Sequence, residues 1–157
     1  MYPDRKRKRG FEVVSDDKRK TNGEIILPAR ADRKSAGYDF YAPVRYICEP
    51  HKVTKIWTDV KSYMMEEEVL LIDVRSSMGG KFHLANTIGI IDASYYENPN
   101  NDGNIGIFLV NDTDEDIIIE TGDRIAQGVF LMYFITDDDE STLLSEIRAG
   151  GFGSSGK

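Results

Sequence analysis

Apolar residues along this chain fall into short extended runs broken by turn residues. Residues 11–14, 24–27, 38–41, 53–60 and 69–74 read as strands, as do 88–91, 105–110, 117–120 and 125–135. Each run is rich in β-branched or aromatic side chains, which suit a pleated, half-buried surface. Between the runs lie Lys20-Thr-Asn-Gly23, Ser77-Met-Gly-Gly80, Asn98-Pro-Asn-Asn-Asp-Gly103 and Thr121-Gly-Asp123, all composed of residues that favour turns. No stretch keeps a 3.6-residue apolar period for more than about two turns. The pattern predicts an all-β domain: a sandwich, barrel or jelly roll. There is no internal repeat and no interior linker, so the 157 residues are read as one domain. The end of the chain differs. After Asp137-Asp-Asp-Glu140 comes Arg148-Ala-Gly-Gly-Phe-Gly-Ser-Ser-Gly156, a tail (148–157) without an apolar pattern, expected to be mobile unless a ligand orders it.

Composition narrows the function classes. A hydrophobic fraction of 40% is enough for a core and excludes wholesale disorder. The longest apolar runs, such as 129–134, fall far short of the ~20 residues that span a bilayer, so no membrane partner is expected. Residues 1–9 form a basic arm, but no apolar stretch follows it and a signal peptide is not expected. One cysteine, Cys48, cannot form an internal disulfide, and with two histidines it makes a zinc site of the usual kind improbable. Both points suit a reducing cytoplasm. The first 20 residues hold eight Lys/Arg against four Asp/Glu, whereas the whole chain has net charge −7. So acidic a body repels a nucleic-acid backbone, and no nucleic-acid partner is expected beyond what Arg5-Lys-Arg-Lys-Arg9 could touch. That segment is read as a solvated arm.

Several residues could do chemistry. Asp92 ends the apolar run Gly89-Ile-Ile-Asp92, where a carboxylate is held rigidly at a sheet margin; it could instead cap the following turn. Tyr95 presents a flat ring beside it, or is simply a core tyrosine. Arg75-Ser-Ser77 supplies a cation and two hydroxyls at a strand end, a set that suits phosphate oxygens. Gln127 is a neutral donor, or a polar residue bonding a neighbouring strand. Asp39, in Ala36-Gly-Tyr-Asp39, is either a site carboxylate or one half of an ion pair with Arg75 or Arg124. Phe152, a large ring among glycines, suits stacking on a base better than packing in a core.

Taken together, Ala36-Gly-Tyr-Asp39, Arg75-Ser-Ser77, Gly89-Ile-Ile-Asp92 leading to Tyr95, Gly122-Asp-Arg-Ile-Ala-Gln127 and the Gly-rich tail resemble, in order and spacing, the five motifs of the trimeric deoxyuridine triphosphatase (dUTPase) family. The resemblance runs from about Phe11 to Gly156. It implies a distorted jelly-roll subunit, a homotrimer with three shared active sites, and magnesium-dependent hydrolysis of dUTP to dUMP and pyrophosphate, which limits uracil in DNA and supplies dUMP for thymidylate synthesis. By the same resemblance Asp92 directs a water at the α-phosphate and Tyr95 packs on the deoxyribose, leaving no space for a 2′-hydroxyl. Asn86 and Ile91 lie near the uracil and sugar. Arg75, Ser76, Ser77 and Gln127 hold phosphates, and Asp39 meets the magnesium through water. In the tail Phe152 covers the uracil, Arg148 contacts the γ-phosphate, and Gly151, Gly153 and Ser154 wrap the phosphates.

Three departures stand out. Ser77 replaces the usual glycine, and Arg148 sits one residue closer to Phe152 than is common. Residues 96–103 lengthen the hairpin that normally reads uracil, a feature which, with Arg9-Gly-Phe-Glu-Val-Val14, resembles a branch found in Gram-positive bacteria and their phages. Two other functions compete: a dCTP deaminase on a related fold, and a regulator whose dUTPase fold binds a repressor protein. The Asp92-to-Tyr95 spacing and residues 150–153 disfavour the first. Intact Asp92, Gln127 and Phe152 disfavour a dead enzyme, although a second binding role with a protein partner stays open.

Overall fold

A computed structural model describes residues 7–139. It contains twelve strands and three single-turn 3-10 helices. The strands are β1 (Gly10–Val13), β2 (Ala29–Arg30), β3 (Tyr38–Tyr41), β4 (Tyr46–Cys48), β5 (Val53–Trp57) and β6 (Val60–Tyr63). They continue with β7 (Glu68–Asp73), β8 (Phe82–Leu84), β9 (Gly89–Asp92), β10 (Gly106–Asn111), β11 (Ile117–Ile119) and β12 (Arg124–Met132). The all-β expectation holds. Four antiparallel sheets share one core: β2-β3-β12-β7-β9, β5-β10-β8, β1-β6 and β4-β11.

The period-2 pattern explains how the sheets face that core. Along β7, Leu70 and Ile72 are buried while Val69 and Leu71 are half-buried; along β10, Ile107 and Leu109 are buried. Alternate side chains point to opposite faces, so each strand delivers one set inward. Phe11 of β1 meets Phe40 of β3 edge-on at 5.5 Å and Phe130 of β12 at 5.5 Å, which ties the short β1-β6 sheet to the five-stranded one. Ring pairs in this range add to the gain from buried area.

The structure departs from the sequence reading in instructive places. Residues 24–27 form no strand: Glu24, Ile26 and Leu27 stay exposed, and the following Pro28 has no N–H to offer a ladder. The run 53–60 is cut into β5 and β6 by Asp59, whose φ is +56°. Asp59 is fully buried and accepts hydrogen bonds from the Lys20 and Thr21 amides, the Thr21 hydroxyl and Asn104 Nδ2. Burial alone would raise its pKa, but these donors outweigh it and hold the carboxyl below the usual range. β4 and β8 were not anticipated, because three residues are too few to show a period. β12 ends at Met132 rather than at residue 135. Residues 1–6 and the whole tail, with Arg148, Gly151, Phe152, Gly153 and Ser154, lie outside the described residues.

Part of the basic arm makes ion pairs while remaining exposed. Arg9 donates through Nε to Glu68 Oε1 at 2.7 Å, and Arg7 donates to Glu12 and to the Tyr63 hydroxyl. Arg9, together with the Met65 amide, holds the Glu68 carboxyl below its usual range despite burial. A carboxyl with a depressed folded pKa stabilises fully above its unfolded value, about 4.3, and that contribution disappears as pH falls through the folded value. Glu68→Gln is therefore expected to lower Tm at pH 7 and to flatten the fall of Tm between about pH 5 and 3. Thermal melts across that range check it, and equal slopes in both proteins would refute it.

Candidate active site

Two clusters emerge, on opposite sides of β7. The first surrounds Asp92, the last residue of β9, which pairs with Val69 of β7. Asp92 adopts extended backbone (φ −80°, ψ 155°) ahead of the 3-10 turn Ala93–Tyr95, and its side chain makes no capping hydrogen bond to that turn. Asp92 lines a cavity of about 370 Å³ together with Asn86, Ile91 and Tyr95, and with Ile72 and Phe108. That size and mixed lining match small-molecule sites. Tyr95 is 7% exposed. Its hydroxyl donates to the Asn104 carbonyl at 2.6 Å and accepts from Asn101 Nδ2 at 2.7 Å, and burial pushes the phenol pKa up. The ring is therefore a fixed, neutral wall of the cavity.

The second cluster lies across β3, β12 and the end of β7. Asp39, Arg75, Ser76 and Gln127 line one open pocket of about 560 Å³. Gln127 of β12 pairs with Asp39 of β3 on one side and Asp73 of β7 on the other. Arg75 leaves β7, and its Nε donates to Asp39 Oδ1 at 2.9 Å; Arg124 Nη1 reaches Asp39 Oδ2 at 3.4 Å. The ion pair foreseen as an alternative role for Asp39 thus forms, and with both arginines. Arg75 and Asp73 line that pocket beside Asp39, whereas Arg124 lines the neighbouring depression, so the pocket holds both a guanidinium and carboxylates.

Ser77 is the exception. It lines a second depression, shared with Arg75, Arg124, Met78 and Lys81, while its neighbour Ser76 lines the Gln127 pocket.

Gly37 positions Gln127. A Cβ at Gly37 would come within 2.5 Å of Gln127 Oε1 and 3.3 Å of its Cβ, so only glycine leaves room for the amide to lie across the strand. Because the obstructed atom is the far end of a flexible side chain, Gly37→Ala is expected to displace the amide at little cost in stability. We expect activity to fall about tenfold, in keeping with the sensitivity of catalysis to small misplacements, while Tm moves by no more than a few degrees. Parallel activity and melting measurements check this; unchanged turnover would refute it.

The sequence reading missed Asp73 and Phe108 as lining residues, and it treated 96–103 only as a lengthened turn. Asn101 reads as a turn former, and nothing in its spacing reveals a bond to Tyr95. Among the described residues, no group of three or more His, Cys, Asp or Glu could hold a metal ion, and no helix is long and apolar enough to cross a membrane.

Comparison with known proteins bears on this arrangement. The dUTPase family model matches residues 23–156. A deoxyuridine 5′-triphosphate nucleotidohydrolase from Lactococcus lactis subsp. lactis (strain IL1403) is 43% identical over 150 residues, covering 94% of this chain and 97% of that protein. The corresponding swinepox virus (strain Kasza) protein is 32% identical over 139 residues, covering 87% of this chain and 94% of the viral one. Among solved structures, a dUTPase from Streptococcus mutans superposes with a TM-score of 0.71 at 35% identity, over 82% of this chain and 98% of that one. A mutant dUTPase from phage phi11 of S. aureus, described with a coordinated structural Mg(II) ion, shares the fold: its TM-score is 0.66 at 21% identity, over 83% of this chain and 94% of that one. With a family model spanning most of its length and a Lactococcus relative aligned almost end to end, the chain belongs to the dUTPase family.

Proposed function

We propose that this chain hydrolyses dUTP to dUMP and pyrophosphate in sites built between subunits of a homotrimer, with Asp92 as the base. As a family member it is a dUTP diphosphatase; the residue roles and the assembly are our reading. One observation supports it above the others. Asp92 pairs with Val69, whereas Gln127 pairs with Asp73, so the base and the Arg75–Gln127 pocket lie at opposite ends of β7. Four residues along the strand and two strand spacings across it separate their backbones by roughly 16 Å. Both must act on one α-phosphate, a span too large for one chain to close. The cavity of one subunit facing the Arg75–Gln127 pocket of another removes the difficulty, and a threefold ring is a closed solution. Exposed Leu131, Met132, Phe134 and Ile135 at the end of β12 form an apolar surface of the kind that subunits cover.

In this arrangement Asn86, Ile91 and Tyr95 receive the nucleoside. Tyr95 lies against C2′ of the sugar, where its ring leaves no volume for a hydroxyl; a rigid wall is needed because shape alone discriminates weakly. Ser76 and Gln127 donate to phosphate oxygens, with Arg75 and Arg124 supplying the positive field. Ser77 plays a lesser part, from the second depression. Asp92 accepts a proton from the water that attacks phosphorus in line. The tail, through Arg148, Gly151, Phe152, Gly153 and Ser154, closes over the triphosphate and uracil.

The donor set does not suit a resident metal. Asp39 stands alone as a buried carboxylate in its pocket and is engaged by two arginines. It suits instead a magnesium ion that arrives on the triphosphate, coordinated by phosphate oxygens and water, as magnesium's reluctance to dehydrate favours. Asp39 would then meet that ion only through water. Pyrophosphate release measured over dUTP, UTP, dCTP and dTTP tests the reading. Release from dUTP alone supports it. Ammonia from dCTP would indicate a deaminase, and no release from any nucleotide a binding protein.

A further inference from the structure

We infer that Asn101, in the lengthened loop after the base, is a positioning residue for sugar selection: it locks the hydroxyl of Tyr95 and so makes the wall rigid. The inference rests on the reading of Tyr95 as the wall against the 2′-hydroxyl.

Tyr95 is held at both ends. Its backbone is gripped where Gly103 packs against it: a Cβ on Gly103 (φ +83°) would lie 2.8 Å from the Tyr95 carbonyl oxygen. Its hydroxyl is gripped by Asn101 and Asn104. Each partner is itself fixed. Asn101 Oδ1 accepts from Asn98 Nδ2 at 2.7 Å and from the Gly103 amide at 3.1 Å. Asn98, 5% exposed, accepts from the Asn100 and Asn101 amides. Asn104 is fully buried and exchanges two bonds with Asp59, through Asp59 N at 3.0 Å and Asn104 Nδ2 at 2.8 Å. Behind the loop, Lys61 donates to Asp102 and Glu97, and the Ser15 amide to Asp102. The loop is therefore a closed polar scaffold with the phenol at its centre, and its inserted residues have a use that a plain turn lacks. Such a satisfied network rigidifies what it holds. Rigidity is what discrimination by a wall demands, because a ring free to tilt would admit one extra hydroxyl.

Asn101→Asp isolates the contact. It keeps acceptor oxygens for Asn98 Nδ2 and the Gly103 amide, but removes the N–H that Tyr95 accepts. We expect the dUTP:UTP ratio of kcat/KM to narrow about three- to tenfold, the scale of one buried hydrogen bond, mainly by faster UTP turnover. A general loss of fold would lower both substrates together and leave the ratio unmoved. Tyr95→Phe removes this bond together with the one to the Asn104 carbonyl and should narrow the ratio at least as much, with the double variant no worse than Tyr95→Phe alone. If Asn101→Asp does not fold, Asn101→Ala, which also removes the N–H and leaves the Asn104 bond in place, decides the question. A narrowed ratio in Tyr95→Ala with an unchanged one in Asn101→Asp, Asn101→Ala or Tyr95→Phe would overturn the role of Asn101 and leave the wall intact. An unchanged ratio in Tyr95→Ala would overturn the wall and this inference together.

Discussion

Asp92→Asn is expected to lower kcat by about 10²- to 10⁴-fold, the range one general base contributes, while dUTP still binds. The change keeps shape and hydrogen-bonding capacity but removes the acceptor that takes the proton from water. Asp92 ends β9 in regular extended backbone that asparagine also adopts, and the 3-10 turn behind it takes no cap from its side chain. The loss should then appear in kcat and kcat/KM together, with dUTP Kd by calorimetry changed less than about threefold. Near-native turnover would remove Asp92 from its role. A large rise in Kd would make it a binding residue instead.

The second large effect comes from mixing. Cutting the chain after Glu146 removes Arg148 and Phe152 but no residue of the described fold, whose last strand ends at Met132. The truncated protein should assemble and be almost inactive, and Asp92→Asn with an intact tail should be inactive for the other reason. If a site takes its base from one chain and its tail from another, each variant supplies what its neighbour lacks. Random, equal mixing then gives about one site in four with both good halves. Co-refolded mixtures should therefore recover roughly a quarter of native activity. Mixed trimers established by mass, yet still inactive, would mean that each chain builds its own site.

Strand runs such as 69–74 and 105–110 were legible because a half-buried strand must alternate, and their boundaries shifted by only a residue or so. Motif positions such as Asp92 and Arg75 were legible for a related reason: each lies at the end of a run, where the local sequence sets the backbone. Thus Gly37 beside Asp39, and Asp92 closing an apolar strand, announced site chemistry without any contact being known.

Tertiary structure alone decided the rest. Whether 24–27 pairs depends on a neighbouring strand, and none accepts it. The cut in 53–60 comes from Asp59, buried by partners 38 to 45 residues away at Thr21 and Asn104, a charge whose cost is met only in the folded chain. The different pockets of Ser76 and Ser77 and the bond from Asn101 to Tyr95 are likewise invisible in spacing. Each depends on where side chains point once strands distant in sequence lie side by side. Local patterning therefore determined most of the segments that extend and which residues are candidates for chemistry. The long-range packing of β3, β7, β9 and β12 determined which of those residues meet, because strand order and register are set by burial of the whole core and not by any one segment.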